Sequence, residues 1–376
     1  MWLFFAIALL FIAFSLLFWH KNDNIIAQEW LGSAGIAFIL AIIMACIAYY
    51  GTAGDIETWS GTILKAVHYP RWVSEETRDV TETDANGNTH TRTETYYETH
   101  PEYWEAETSV GDYRFQESRF KLIASKFGGT ETERPWKPNF HHGDRNIYVA
   151  YNKTDYAFPV TSLRSWINKI KGAGPTAFSF QKVPKGSAVF QWPENNDFMY
   201  SERLLGLAAD DISLYDFDCL NSRLGFSEKV NIILIGFYRQ PASIAQLQQA
   251  HWLGGKKNDL VLCYNRSTTN GAVDWTYVFG WTDKNLVKKN LETLLLTHQV
   301  DNNILSLIEK EVRSHYEIKD WSQFDYITVR PATRYYIIYF VLLLLLEAGY
   351  WYWAHHNEYG ASSTYHRTPF THYRWR

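Results

Sequence analysis

The side chains best suited to chemistry in this chain are acids. Asp210, Asp211, Asp216 and Asp218 crowd one short stretch, and Asp259 and Asp283 stand at the expected ends of a strand and a helix. Carboxylates so placed bind Ca²⁺ or Mg²⁺ when a fold gathers them into one coordination shell. Asp211, Asp259 and Asp283 are therefore the candidate metal set. Capping of helix N-termini accounts for several of these acids without any metal, and the resting expectation is no cofactor. The turn Gly254-Gly255-Lys256-Lys257 has residues that suit an anion. It lacks the GxxxxGK pattern followed by Ser or Thr, and it leads into a strand instead of opening a helix, so it does not read as a phosphate loop. His141, His142 and Asp144 put three ligand types within four positions. Adjacent histidines share an ion only across a tight turn, and no fourth ligand is apparent, so exposed loop histidines are the expectation. No nucleophile–base pair stands out, and no catalytic residue is assigned.

Glu347 is the one ionisable side chain inside an otherwise apolar run. A carboxyl at membrane depth must be protonated, paired or turned toward a polar cavity. A proton or ion relay is one use. A lone acid among three segments makes a poor path, so a helix-packing contact is expected. The three cysteines are Cys46, Cys219 and Cys263. The first lies in an apolar segment, and the other two are expected to be buried thiols acting as small hydrophobes.

The elements that must position these groups begin with three apolar segments. Residues 1–19 carry no charge, residues 31–54 are again uncharged, and residues 335–354 centre on Val341 to Leu346. Each approaches the roughly 20 residues a helix needs to cross the hydrocarbon of a bilayer. Trp2, Trp19, Tyr49, Tyr50, Tyr335, Tyr336, Trp351 and Trp353 mark their ends, as aromatic rings do at headgroup level. The first segment lacks a basic start and ends in Phe18-Trp19, so it is expected to stay as an anchor and not to be cleaved as a signal peptide. Gly32, Ser33, Ala34 and Gly35 offer small residues for close helix packing. Residues Lys21 to Trp30 connect the first two helices. Lys21 is the basic side chain nearest the first helix, which favours an external soluble region with the connector and the 355–376 tail on the opposite side. The formal net charge of -4 on 376 residues argues against nucleic acid as a partner.

Residues 56–180 read as a β-rich region. Gly61 to His68 is a strand. Arg78 to Asp84 and Thr89 to Thr99 flank Ala85-Asn86-Gly87-Asn88, a hairpin signal with threonines at period two, which predicts a polar projecting ribbon. Tyr103 to Thr108, Asp112 to Phe120 and Arg145 to Tyr151 are further strands. Residues 128–143 read as a loop, and Ser162 to Lys171 as a short helix. From residue 201 to 316 helices and strands alternate. Val230 to Tyr238 and Leu260 to Tyr264 read as buried strands and Trp275 to Trp281 as a third. Helices are expected at Asp211 to Leu224, Ser243 to Trp252, Asp283 to Thr297 and Asn302 to Tyr316.

The run VNIILIGFY, a helix, then WLGGKKNDLVLCYN, a further strand and a long helix resembles the TPM domain, an α/β domain of membrane-anchored proteins. The resemblance covers residues 201–316 and implies a βαβ core. Some TPM proteins are described as phosphatases or as metal binding, and many assist membrane complexes. In layout the chain is also similar to uncharacterised membrane proteins of bacteria and their tailed phages.

The expected fold class is an α+β membrane protein, with three transmembrane helices flanking a β-rich region and a small TPM-like α/β domain. The expected function is a membrane-anchored, non-catalytic module that binds a partner or assists a membrane complex, phage-encoded on the second resemblance. Its partners would be the lipid bilayer and other membrane or envelope proteins, with homo-oligomers open. The place implied is a bacterial inner membrane, in a multi-pass arrangement. The alternative is a TPM-like metal-dependent hydrolase of phosphate esters, using Ca or Mg held by Asp211, Asp259 and Asp283.

Overall fold

A computed structural model describes residues 2–21, 27–83, 87–134, 137, 144–151, 157–173, 180–196, 200–268 and 271–357. Asn86 of the expected turn, His141, His142 and the tail from residue 358 lie outside them. The chain runs through α1 (Trp2–Lys21), α2 (Ala27–Ala53), β1 (Gly54–Tyr69), β2 (Trp72–Thr83), β3 (Thr89–His100), β4 (Tyr103–Thr108), β5 (Gly111–Phe115) and α3 (Glu117–Phe127). It continues through β6 (Thr130–Glu133), β7 (Asn146–Tyr151), β8 (Pro159–Ile167), α4 (Lys169–Ala173) and two short strands, β9 (Asn195–Asn196) and β10 (Tyr200–Ser201). It ends with β11 (Leu204–Gly206), α5 (Ala208–Asp211), α6 (Leu214–Ser227), β12 (Asn231–Tyr238), α7 (Ser243–His251), β13 (Asp259–Arg266), β14 (Trp275–Gly280), α8 (Leu286–Thr297), α9 (Ile304–His315) and α10 (Thr333–Asn357). The fold is mixed α and β, and it divides into two compact units.

The first unit gathers residues 1–55, 167–179 and 322–376. Two helical stretches in it, Glu29–Ala53 and Thr333–Ala354, are long and apolar enough to cross a membrane by length and composition, whereas Trp2–Leu17 is a shorter apolar helix. The helices pack through small residues. Phe4, Ala8, Ala37, Ala41, Ala45, Ala48, Tyr339 and Leu343 form a buried cluster. A side chain at Gly32 would meet the Tyr350 ring, and one at Gly51 the Tyr335 ring, so both glycines make room for α10 aromatics. The expected small-residue packing is present at Gly32, whereas Gly35 has open space beside it. Ser33 donates to Glu347 Oε2 at 2.7 Å, and both side chains are buried. Glu347 thus makes a helix-packing contact between α2 and α10.

The second unit spans residues 56–166 and 180–321 and holds two main sheets. One has six strands in the order β5-β4-β1-β7-β6, with β8 also paired to β1. Its core is Ile63, Ala66, Ala106, Val110, Phe120, Ile123, Phe127, Ala150 and Val160. Three expectations fail here. The stretch Asp112 to Phe120 is a strand only to Phe115, after which Phe120, Ile123 and Phe127 recur at helical spacing on α3. Ser162 to Ile167 belongs to strand β8 and helix α4 starts only at Lys169, because Val160, Thr161 and Ser162 are buried in succession in the extended chain. Residues Thr130–Glu133 of the expected loop form strand β6, paired with β7.

β2 and β3 form a separate two-stranded ribbon, in register from Trp72↔His100 to Thr83↔Thr89. Of its side chains only Ser74 is buried. Cross-strand polar contacts hold it: Arg78 with Glu94, Arg92 with Glu82, and Thr93 with Asp79.

The second sheet has the order β11-β12-β13-β14, with the first three strands parallel and β14 antiparallel. Alternate residues of β12 separate two cores. Ile232 and Leu234 face α6, α8 and α9, whereas Ile233, Ile235 and Phe237 face α7 and the segment around Phe190. Burial on both faces explains why β12 and β13 read as unbroken apolar runs. The two crossings, β11 to β12 through α6 and β12 to β13 through α7, step the same way across the sheet on opposite faces. They therefore have opposite hands, against the strong general preference for right-handed crossings.

Candidate functional site

Parallel strands direct their carboxyl ends, and the loops that leave them, to one edge of the sheet. Ligands of open α/β sheets settle in the crevice where neighbouring loops part to opposite faces. Here the loop after β11 turns toward α5 and α6, and the loop after β12 turns toward α7. Between them lies a cavity of about 440 Å³, lined by Ala188, Phe190, Gly206, Leu207, Asp210, Gly236, Phe237, Tyr238 and Gln240. That volume falls within the range of small-molecule sites, roughly 300–1,000 Å³.

Each wall of the crevice has a local cause. Gly206 takes a positive φ of 62°, and a side chain there would run into the Gly236 carbonyl and, at 2.8 Å, into Phe190. At Gly236 a side chain would meet Leu207 Cβ and Tyr264 Oη, each at 2.7 Å. The two glycines let β11 and β12 end close together, and Leu207 N donates to the Gly236 carbonyl at 2.9 Å. Phe190 is fixed by the fully buried Gln248 of α7. Phe190 N donates to Gln248 Oε1 at 2.7 Å, and Gln248 Nε2 donates back to the Phe190 carbonyl at 3.1 Å. Trp252 Nε1 donates to the same carbonyl at 3.0 Å. The Phe190 ring then lies 5.5 Å from that of Phe237.

Of the candidate acids, Asp211 lies beside this crevice and is fully engaged. It accepts from Arg266 Nη1 at 2.9 Å and from the Tyr264 hydroxyl. Burial and the Asp211 carboxylate push the Tyr264 hydroxyl well above its usual range, so it stays a proton donor. Asp210, one residue earlier, lines the crevice and is exposed; its amide donates to the Leu207 carbonyl at 3.1 Å, and its carboxylate has no hydrogen-bond or ion-pair partner among the described residues.

Asp259 stands at the opposite end of β13, seven positions from Arg266, or roughly 23 Å of strand. It accepts from Asn231 Nδ2 at 2.7 Å and from the Lys256 amide at 2.5 Å. The Gly254-Gly255-Lys256-Lys257 turn therefore directs an amide at the chain's own Asp259. Its two glycines take positive φ, and the Trp281 ring covers Gly254. Asp283 is bound to Lys319 Nζ at 2.6 Å, which holds its carboxyl below the usual range. The structure does not bring Asp211, Asp259 and Asp283 together, and among the described residues no group of three His, Cys, Asp or Glu could hold a metal ion.

Several of the acids were expected as helix caps. Ser213 is the N-cap of α6, accepting from the Asp216 amide, while Ala242 precedes α7 without a side-chain cap. Asp218 instead meets Arg203, a residue that sequence reasoning missed. The guanidinium of Arg203 is 1% exposed and donates to Asp218 Oδ1 at 2.7 Å, Ser60 Oγ at 2.5 Å and Asn231 Oδ1 at 3.1 Å. Burial pulls the Arg203 guanidinium down and pushes the Asp218 carboxyl up, and each opposes the other's shift. This network joins β1 to α6 and β12 and leads on through Asn231 to Asp259. Cys219 and Cys263 are buried free thiols, as expected, and burial raises both.

No family model, no curated protein and no solved structure matches this chain.

Proposed function

We propose that this protein is a membrane-anchored module that binds a partner protein of a membrane complex. In this reading α1, α2 and α10 all cross the bilayer, and the second unit stands on its external face. The observation that carries it is the β2–β3 ribbon. Twelve residue pairs are ordered with almost nothing buried, and a lone two-stranded hairpin is only marginally stable in water. Such a ribbon offers two unpaired strand edges to another chain. Its charge is lopsided. Its strands carry Glu75, Glu76, Asp79, Glu82, Glu94 and Glu98 against Arg78 and Arg92, which suits a partner with a basic surface. The sequence resemblance of residues 201–316 to the TPM domain is a second ground, since many TPM proteins assist membrane complexes.

A photo-cross-linking side chain in place of Tyr97, which is 69% exposed, tests this in native membranes. One discrete protein adduct is expected, at least several-fold weaker when Glu75 and Glu98 are changed to Gln. No adduct, or an adduct indifferent to those two changes, would overturn the proposal.

A further inference from the structure

The crevice at the carboxyl ends of β11 and β12 is separate from the ribbon, and its lining has a definite chemistry. Its charged group is the Asp210 carboxylate; no Lys or Arg is among its lining residues. Two cations that flank the lining, Arg239 next to Tyr238 in the chain and Arg266 opposite Tyr238 on β13, are engaged elsewhere. Arg266 donates to Asp211 and to the Val300 carbonyl, and Arg239 donates to the Ser267 carbonyl. Among small and aliphatic residues, the wall also presents three aromatic rings and one amide: Phe190, Phe237, Tyr238 and Gln240. The Tyr238 ring already receives one cation, with the Arg239 guanidinium carbon 4.9 Å from its centroid. Aromatic faces attract cations through the ring quadrupole, and an unpaired carboxylate adds a charge-assisted hydrogen bond.

We infer that this crevice binds a small organic cation, an ammonium or guanidinium carried on a flat apolar body. The charged head pairs with Asp210, and the body lies between Phe190 and Tyr238. Gln240 supplies a neutral donor and acceptor at the rim. An anion has the opposite fit, since it would face Asp210 with no cation in the lining. The buried Gln248 clamp holds Phe190 in place before any ligand arrives, so the site loses little freedom on binding.

The probe is benzylammonium, with benzoate as its anionic match in shape, titrated calorimetrically into the full chain in lipid nanodiscs. Saturable one-to-one binding of benzylammonium is expected, with none of benzoate. Asp210→Asn, at an exposed position, should weaken binding by about tenfold or more at an unchanged thermal midpoint. Gln240→Lys, which places a cation at the rim, should abolish it. Benzoate binding as tightly as benzylammonium, no saturable benzylammonium binding, or equal affinity in Asp210→Asn would each overturn the inference.

Discussion

At the scale of single residues, the interior of the second unit is organised by Arg203. A buried guanidinium must be surrounded by acceptors, and here three side chains from three elements serve it. Removing one partner of such a pair leaves a bare buried charge, at a cost of about 3–5 kcal/mol. Arg203→Met should therefore lower the unfolding midpoint sharply. Adding Asp218→Asn, which removes the stranded carboxylate, should recover part of the loss. Thermal unfolding followed by near-ultraviolet circular dichroism checks both, and a double variant no better than the single one would refute the assignment. None of this was legible in the sequence. An Arg beside Glu202 and ahead of two leucines looks like any strand start, and its partners lie 15, 28 and 143 positions away. Asp211 was singled out from the sequence for its type, but its partners Tyr264 and Arg266 are set by the β11-β12-β13 strand order, which no local pattern reveals.

At the scale of elements, legibility followed burial. Strands β12 and β13, buried on both faces, stood out as apolar runs, and the ribbon stood out through its alternating threonines and Asn-Gly turn. The elements that were misread have one buried face within mixed surroundings. Helix α3 hides in a stretch rich in β-formers, and the polar Thr161 and Ser162 disguise β8. Helices α6 and α9 are joined on their outer side by Glu309. Its carboxylate accepts from Arg223 Nη2 at 2.7 Å and from Arg313 Nη2 at 2.9 Å. The Arg223 bond holds Glu309 below its usual value of 4.5. An acid with a depressed folded value stabilises the protein above about pH 4.5 and loses that contribution as pH falls through the folded value. Because the arginines are partly exposed, the gain is about 1 kcal/mol or less. Glu309→Gln should therefore melt below the wild type at pH 7, with the gap narrower at pH 3. A gap of equal size at both pH values would refute it.

At the scale of the whole molecule, the apolar segments and the mixed α/β character were plain in the sequence, because composition alone separates the apolar helices from the rest of the chain. The division of the chain was less plain, since one compact unit collects its start, a short middle piece and its end. The first helix is where length alone decides least, as its apolar stretch Trp2–Leu17 is shorter than the other two. If, as proposed, α1, α2 and α10 all cross the bilayer, Trp2 and Tyr97 share one side of it and the sequence positions 24 and 363 the other. Labelling of introduced cysteines by a membrane-impermeant maleimide in intact cells, with Cys46 replaced by Ala, tests this most directly. The account predicts that Trp2→Cys and Tyr97→Cys label from the outside, while Asn24→Cys and Ser363→Cys label only after the membrane is opened. Labelling of all four from the same side would contradict membrane spanning, and Trp2→Cys behaving like Asn24→Cys would contradict the third span.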